Sequence, residues 1–242
     1  AGVTAVGQGL GALKSLTNVA LHLQSCDVGD AGVIAVGQGL GALKSLTDVA
    51  LALDNCGVGD AGVTAVGQGL GALKSLTNVA LHLQSCDVGD AGVIAVGQGL
   101  GALKSLTSVD LMFWGCKEVG DAGLTSVGQG LEALKSLTTV DLMFCDCVVG
   151  DAGLTAVGQG LGALKSLTDA VLNFYDCDYI TDDGLTAVGK GLGALTSLTK
   201  MALHFTDKNQ KGYDFHAEGR SEVMKLLAKM MDGDFDGAEV GD

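Results

Sequence analysis

The stretch Gly37-Gln38-Gly39-Leu40-Gly41-Ala42-Leu43-Lys44-Ser45 has the composition of a loop that wraps a phosphate. Its spacing is wrong for that chemistry. A phosphate loop needs glycine directly before the lysine, so that backbone amides can curl around the anion, and Leu43 stands there. A dinucleotide-binding turn needs G-x-G-x-x-G, whereas these glycines run G-x-G-x-G with no acidic residue at the usual distance after a βα turn. The same stretch recurs at 7–15, 67–75, 97–105 and 158–166, and with small changes at 128–136 and 189–197. A phosphate site needs one such loop, so seven copies read as architecture.

Other residues could in principle do chemistry. In "DGDFDG", Asp232, Asp234, Asp236 and Gly237 match positions 1, 3, 5 and 6 of a calcium loop behind an amphipathic helix. Position 8 is Glu239 rather than an aliphatic residue, and the bidentate glutamate of position 12 would fall beyond Asp242. The metal reading is therefore weak, and a solvated acidic tail is preferred. Cys26, Cys56, Cys86, Cys116, Cys147 and Cys177 fall once per repeat, with only Cys145 outside the series. Cys145 and Cys147 form a bare C-x-C without the ligand pairs a zinc site needs. The six read as a ladder of buried thiols, reduced, with Cys145 the one expected to react from solvent. Such thiols favour a reducing compartment. His22 and His82 lie two coils apart, about 10 Å at ordinary strand spacing, too far for one metal ion. Asp110 and Asp141 read as adjacent solvated carboxylates that could attract a cation or a basic partner. No set of residues supports catalysis, and none calls for a cofactor.

These residues are carried by a unit of about 30, for which Asp30 to Gly59 is representative; residues 1–30 and 61–90 are identical. Asp30 is placed to cap the helix it precedes. Val33, Val36, Leu40 and Leu43 follow at helical spacing, and Lys44 closes the last turn. Val49, Leu51 and Leu53 then alternate with Ala50, Ala52 and Asp54 as a half-buried strand. Gly37, Gly39 and Gly41 sit mid-helix, where each costs about 1 kcal/mol relative to alanine. Their missing side chains would let neighbouring helices approach closely and flatten the arc; short 3₁₀ segments are the competing possibility. The net charge of −14 argues against nucleic acid, and no apolar run approaches the ~18 residues of a spanning helix.

The segment "LALDNCGV" resembles the leucine-rich repeat pattern L-x-L-x-x-C-x-V, and "CDYITDDGLTAV" from Cys177 to Val188 is close to its cysteine-containing form. The "VGDAG" opening and the 30-residue length are similar to the ribonuclease-inhibitor type. The resemblance covers residues 1–206. It implies an α/β solenoid of about seven repeats: a right-handed arc with a parallel sheet on the concave side, helices on the convex side, and no catalytic residue. Residues 207–242 are expected to form a capping helix, with Val223, Leu226, Leu227 and Met230 on one stripe, followed by the acidic tail. Ala1 aligns with Ala31, so the first helix lacks its cap; more chain upstream, or another chain packed on that end, is expected to cover it.

Outward strand positions are small and polar in the first three coils. The next three carry Asp110, Met112, Trp114, Asp141, Met143, Cys145 and Tyr175, with Trp114, Cys145 and Tyr175 in one column. Contiguous apolar side chains on an exposed sheet mark a binding surface. The reading is a non-enzymatic scaffold that grips another protein there, unless the C-terminal segment folds back over the patch. The alternative is a purely structural element, natural or consensus-designed, within a larger assembly.

Overall fold

The computed structural model describes residues 2–206 and 212–235. Seven helix–strand coils run in order: α1 (Gly2–Leu10) and β1 (Asn18–His22); α2 (Gly29–Gly41) and β2 (Asp48–Ala52); α3 (Asp60–Gly71) and β3 (Asn78–His82); α4 (Asp90–Leu100) and β4 (Ser108–Met112); α5 (Asp121–Glu132) and β5 (Thr139–Met143); α6 (Asp151–Gly162) and β6 (Asp169–Phe174); α7 (Asp182–Gly193) and β7 (Lys200–Thr206). A further strand, β8 (Gly212–Glu218), and helix α8 (Arg220–Met231) follow. The strands form one open sheet in sequence order, parallel from β1 to β7, with β8 antiparallel on β7. Register is held through the single-residue insertions: Val79 pairs Val109, Val109 pairs Val140, and Ala170 pairs Met201.

One row of strand side chains points at the helices. In the second coil Val49, Leu51 and Leu53 meet Val33, Val36, Leu40, Leu43 and Leu46, all essentially without solvent contact. Burying a side chain of this size contributes about 1.5–3 kcal/mol, and the set repeats in every covered coil. Where the first coils place leucine, the later ones place Phe113, Phe144, Phe174 and Phe205, whose rings stack at 5.2, 5.9 and 5.7 Å between centroids.

The glycine-rich segments are α-helical, because the glycines are where the helices touch. A Cβ on Gly37 would stand 2.5 Å from the Ala65 carbonyl oxygen of the next coil. One on Gly39 would stand 2.1 Å from the Gly7 oxygen of the previous coil. Each inner helix thus offers one glycine forward and one back. Gly9, the backward-facing glycine of α1, meets nothing within 4 Å. On the same flank Val6 and Leu13 are about half exposed.

Two capping expectations need correction. Asp30 does not cap its own helix. It sits within the first turn of α2, and its Oδ1 accepts from the backbone N–H groups of Gly59 and Gly62, which open α3 in the next coil. Asp60, Asp90, Asp121 and Asp151 repeat the contact one coil onward each time. The carboxylate satisfies two orphan amides and places negative charge at a helix N-terminus, but across a coil boundary. Lys44 likewise lies beyond the last helical turn. Its Nζ donates to the Gly41 oxygen at 2.6 Å and to the Ala72 oxygen of the following coil at 3.1 Å. In the seventh coil Thr196 takes the lysine's place, and Arg220 donates to the Leu195 and Leu198 oxygens instead.

α8 covers α7 with Val223, Leu227 and Met230 buried and Leu226 partly so, as the stripe predicts. β8 was not anticipated. Its alternating Tyr213, Phe215 and Ala217 are buried, and Phe235 packs edge-on against the first two.

The thiol ladder is buried from the second coil on. Cys56, Cys86, Cys116, Cys147 and Cys177 each donate to a carbonyl of the preceding coil, at 2.7 to 3.3 Å. Burial pushes the Cys116 thiol up to about 11 and Cys177 to about 12, so thiolate is scarce at neutral pH. Two assignments reverse. Cys26, in the first coil described, is exposed, and Cys145 is buried. A thiol titration of the native protein should therefore label one cysteine quickly, Cys26, with the other six reacting only after unfolding. Rapid labelling of a second thiol would show the ladder to be open.

Candidate binding face of the sheet

The face of the sheet turned away from the helices carries every candidate interaction residue. Asp110 pairs in register with Asp141, and Met112 with Met143, which puts the carboxylates on one row and the thioethers on the next. Past the strand ends the ladder continues. The Trp114 oxygen accepts from the Ser85 N–H, the Cys145 oxygen from Gly115 and the Tyr175 oxygen from Asp146, at 2.7 to 2.9 Å. Trp114, Cys145 and Tyr175 consequently form a column.

That column is two aromatic posts with a filled gap between them. Trp114 is 55% exposed and Tyr175 52%, while Cys145 between them is 9%. Cys145 therefore presents little surface, and its Sγ lies 3.7 Å from the Asn173 oxygen. The described C-terminal residues pack on β7 and α7 and leave both aromatic rings open. Two further apolar residues, Val148 and Tyr179, are exposed on the turns that follow the strands. Sequence reading missed both. Tyr179 lies beside a one-residue insertion, which is the signal that could have drawn attention to it.

Asp110 and Asp141 are half-buried rather than solvated. His82 Nε2 stands 3.0 Å from Asp110 Oδ2. The second oxygen of each carboxylate, Oδ1, is buried and has no hydrogen-bond donor. Burial, with the Asp110 charge beside it, pushes the Asp141 carboxyl up to about 6, and the opposing influence of His82 is smaller. Of the remaining histidines His22 is exposed, while His204 meets Asp214 Oδ1 through Nδ1 and packs edge-on against His216 at 4.8 Å between ring centroids. Among the described residues no group of three or more side chains is arranged to hold a metal ion. Of the calcium candidates, Asp232 is the C-terminal cap of α8 and Asp234 is exposed two residues on; Asp236 lies outside the described residues.

The sequence profile described as Leucine Rich repeat matches residues 19–37, 79–97 and 130–158, each segment running through a strand into the following helix. This is a leucine-rich repeat protein. The leucine-rich repeat therefore accounts for the unit that positions both the core leucines and the outward residues. A comparison with curated protein sequences finds no match. Among solved structures the chain is similar to leiomodin-1 actin-binding site 2, with 18% identity, a TM-score of 0.47, and coverage of 71% of this chain and 89% of that one.

Proposed function

We propose that this leucine-rich repeat protein is a non-enzymatic binding module that grips a protein partner on the open face of its sheet, around Trp114, Tyr175, Met112 and Met143. The carrying observation is the exposure of Trp114 and Tyr175 on one column, above strands whose other side is fully packed. Large aromatic rings bring much contact area with few rotatable bonds, and such anchors dominate interface energies. The module's first three coils supply length and rigidity; their outward residues Ala50, Ala52 and Ala80 offer little to grip. The structural-element reading rests on that monotony, and on the identity of residues 1–30 with 61–90.

The test is a set of binders selected from a displayed peptide library on the wild-type protein. Trp114→Ala should bind them about 30-fold more weakly, the ~2 kcal/mol of an aromatic anchor, and keep its thermal midpoint. His22→Ala should bind as wild type does. Binders indifferent to Trp114→Ala would move the interface elsewhere and favour the structural element. A Trp114→Ala protein that fails to fold would mean that the ring is packed internally.

A further inference from the structure

The charge on this face is one-sided. Outward strand positions carry Asp48, Asp110, Asp141 and Asp169, with Asp54 just past β2 and Asp214 and Glu218 on β8. Against these the described strands offer one lysine, Lys200, and it is held at 2.9 Å by Glu218. Most of the other carboxylates are occupied. Asp48 accepts from Thr47 and Asn78, Asp54 from the Gln84 N–H, Asp169 from Thr168, and Asp214 meets His204. Asp110 and Asp141 are different. They lie side by side, His82 reaches only Asp110, and each keeps one buried oxygen with no donor. A buried acceptor without a donor is costly, and a carboxylate pair without a cation doubly so.

We propose that this face takes a basic, extended segment of a protein partner, with an arginine or lysine side chain seated on Asp110 and Asp141 and an apolar residue held between Trp114 and Tyr175. This deepens the binding reading above and rests on it. The spacing follows from the strand. Trp114 lies four residues beyond Asp110, in the turn that follows β4, at most about 13 Å away at 3.3 Å per residue. An extended partner lying along β4 and β5 would therefore carry its basic residue four positions from its apolar anchor. Met112 and Met143 lie between the two ends, where the aliphatic stem of arginine or lysine would rest on them. The guanidinium or ammonium supplies the donors that the carboxylates lack.

Cation binding and protonation compete for Asp141. The groups facing it are Asp110 on β4 and His82 beyond it on β3; on β6 its register partner is the uncharged Val171. With its carboxyl near 6, Asp141 is mostly protonated at pH 5 and ionised at pH 7.5. The basic segment should thus bind about tenfold more tightly at the higher pH.

Trp114 is the sole tryptophan of the chain, so its emission reports on this face alone. The full chain is titrated with a Trp-free peptide, Leu-Ser-Thr-Ser-Arg blocked at both ends, and with counterparts carrying Glu for Arg or Ser for Leu. The arginine peptide should shift the emission saturably at pH 7.5, about tenfold more weakly at pH 5, and the glutamate peptide should bind at least tenfold more weakly at pH 7.5. Asp141→Asn, which preserves shape, should lower the arginine peptide to its pH 5 affinity at both pH values. Equal affinity for the arginine and glutamate peptides, an Asp141→Asn protein that keeps full affinity and pH dependence, or silence from every peptide would overturn the proposal. If library binders still require Trp114 in any of those cases, the binding face stands and only its basic partner falls.

Discussion

Gly69→Ala should destabilise the protein by about 3 kcal/mol, although alanine is the better helix former by about 1 kcal/mol. The new Cβ would stand 2.2 Å from the Gly37 carbonyl oxygen, an atom of the neighbouring helix backbone that no rotamer change can move aside. Relief requires α3 to shift away from α2, which opens the leucine layer beneath. Gly9→Ala changes the same repeat position in the first coil, where nothing lies within 4 Å. There the propensity term acts alone, and the variant should gain about 0.5–1 kcal/mol. Denaturant midpoints of the two variants decide the matter. Shifts of the same sign would mean that helix contact is not what the glycines serve.

Asp90→Ala should cost about 2–3 kcal/mol, and the loosening should appear in the next coil rather than its own. Asp90 Oδ1 accepts from the Gly120 and Gly123 N–H groups at 2.8 Å each, so its loss strands two amides at the start of α5 and removes a charge from that helix end. Asp87→Ala, three residues earlier and exposed, should stay within about 0.5 kcal/mol of wild type. Amide exchange locates the effect. Faster exchange at residues 120–124 supports a cap across the coil boundary, whereas faster exchange confined to the start of α4 would restore the local cap.

What could be read from the sequence was whatever depends on one coil alone. Val33, Val36, Leu40 and Leu43 lie on the buried helix face, and Val49, Leu51 and Leu53 point inward, because periods of 3.6 and 2 are local properties. The outward column of Trp114, Cys145 and Tyr175 followed from the same alternation. What escaped was set by neighbours about 30 residues away. Asp30 has ideal helix-capping chemistry, but the amides it reaches belong to Gly59 and Gly62. Cys26 and Cys86 sit in identical sequence yet differ in burial, since Cys86 packs on the Leu53 carbonyl of the coil before it. Asp110 and Asp141 lost their assumed solvation to their mutual packing, which composition does not record. β8 is a different kind of miss. Tyr213, Phe215 and Ala217 do alternate, but the strand runs against the repeat that precedes it.

The phenylalanine column has a consequence for how the solenoid comes apart. In a linear stack, stability is a sum of coil terms and nearest-neighbour terms, so it need not be uniform along the chain. From the fourth coil to the seventh, adjacent coils are joined by stacked rings; in the first three, leucines occupy those places, and the flank of α1 is partly bare. Heat or denaturant should then peel the early coils away first and leave the later ones as a folded remnant. Asp110, Trp114, Asp141 and Tyr175 all belong to that remnant. Fraying and recognition are thereby assigned to opposite halves of one continuous sheet, and breathing in the weaker half need not disturb the grip of the stronger.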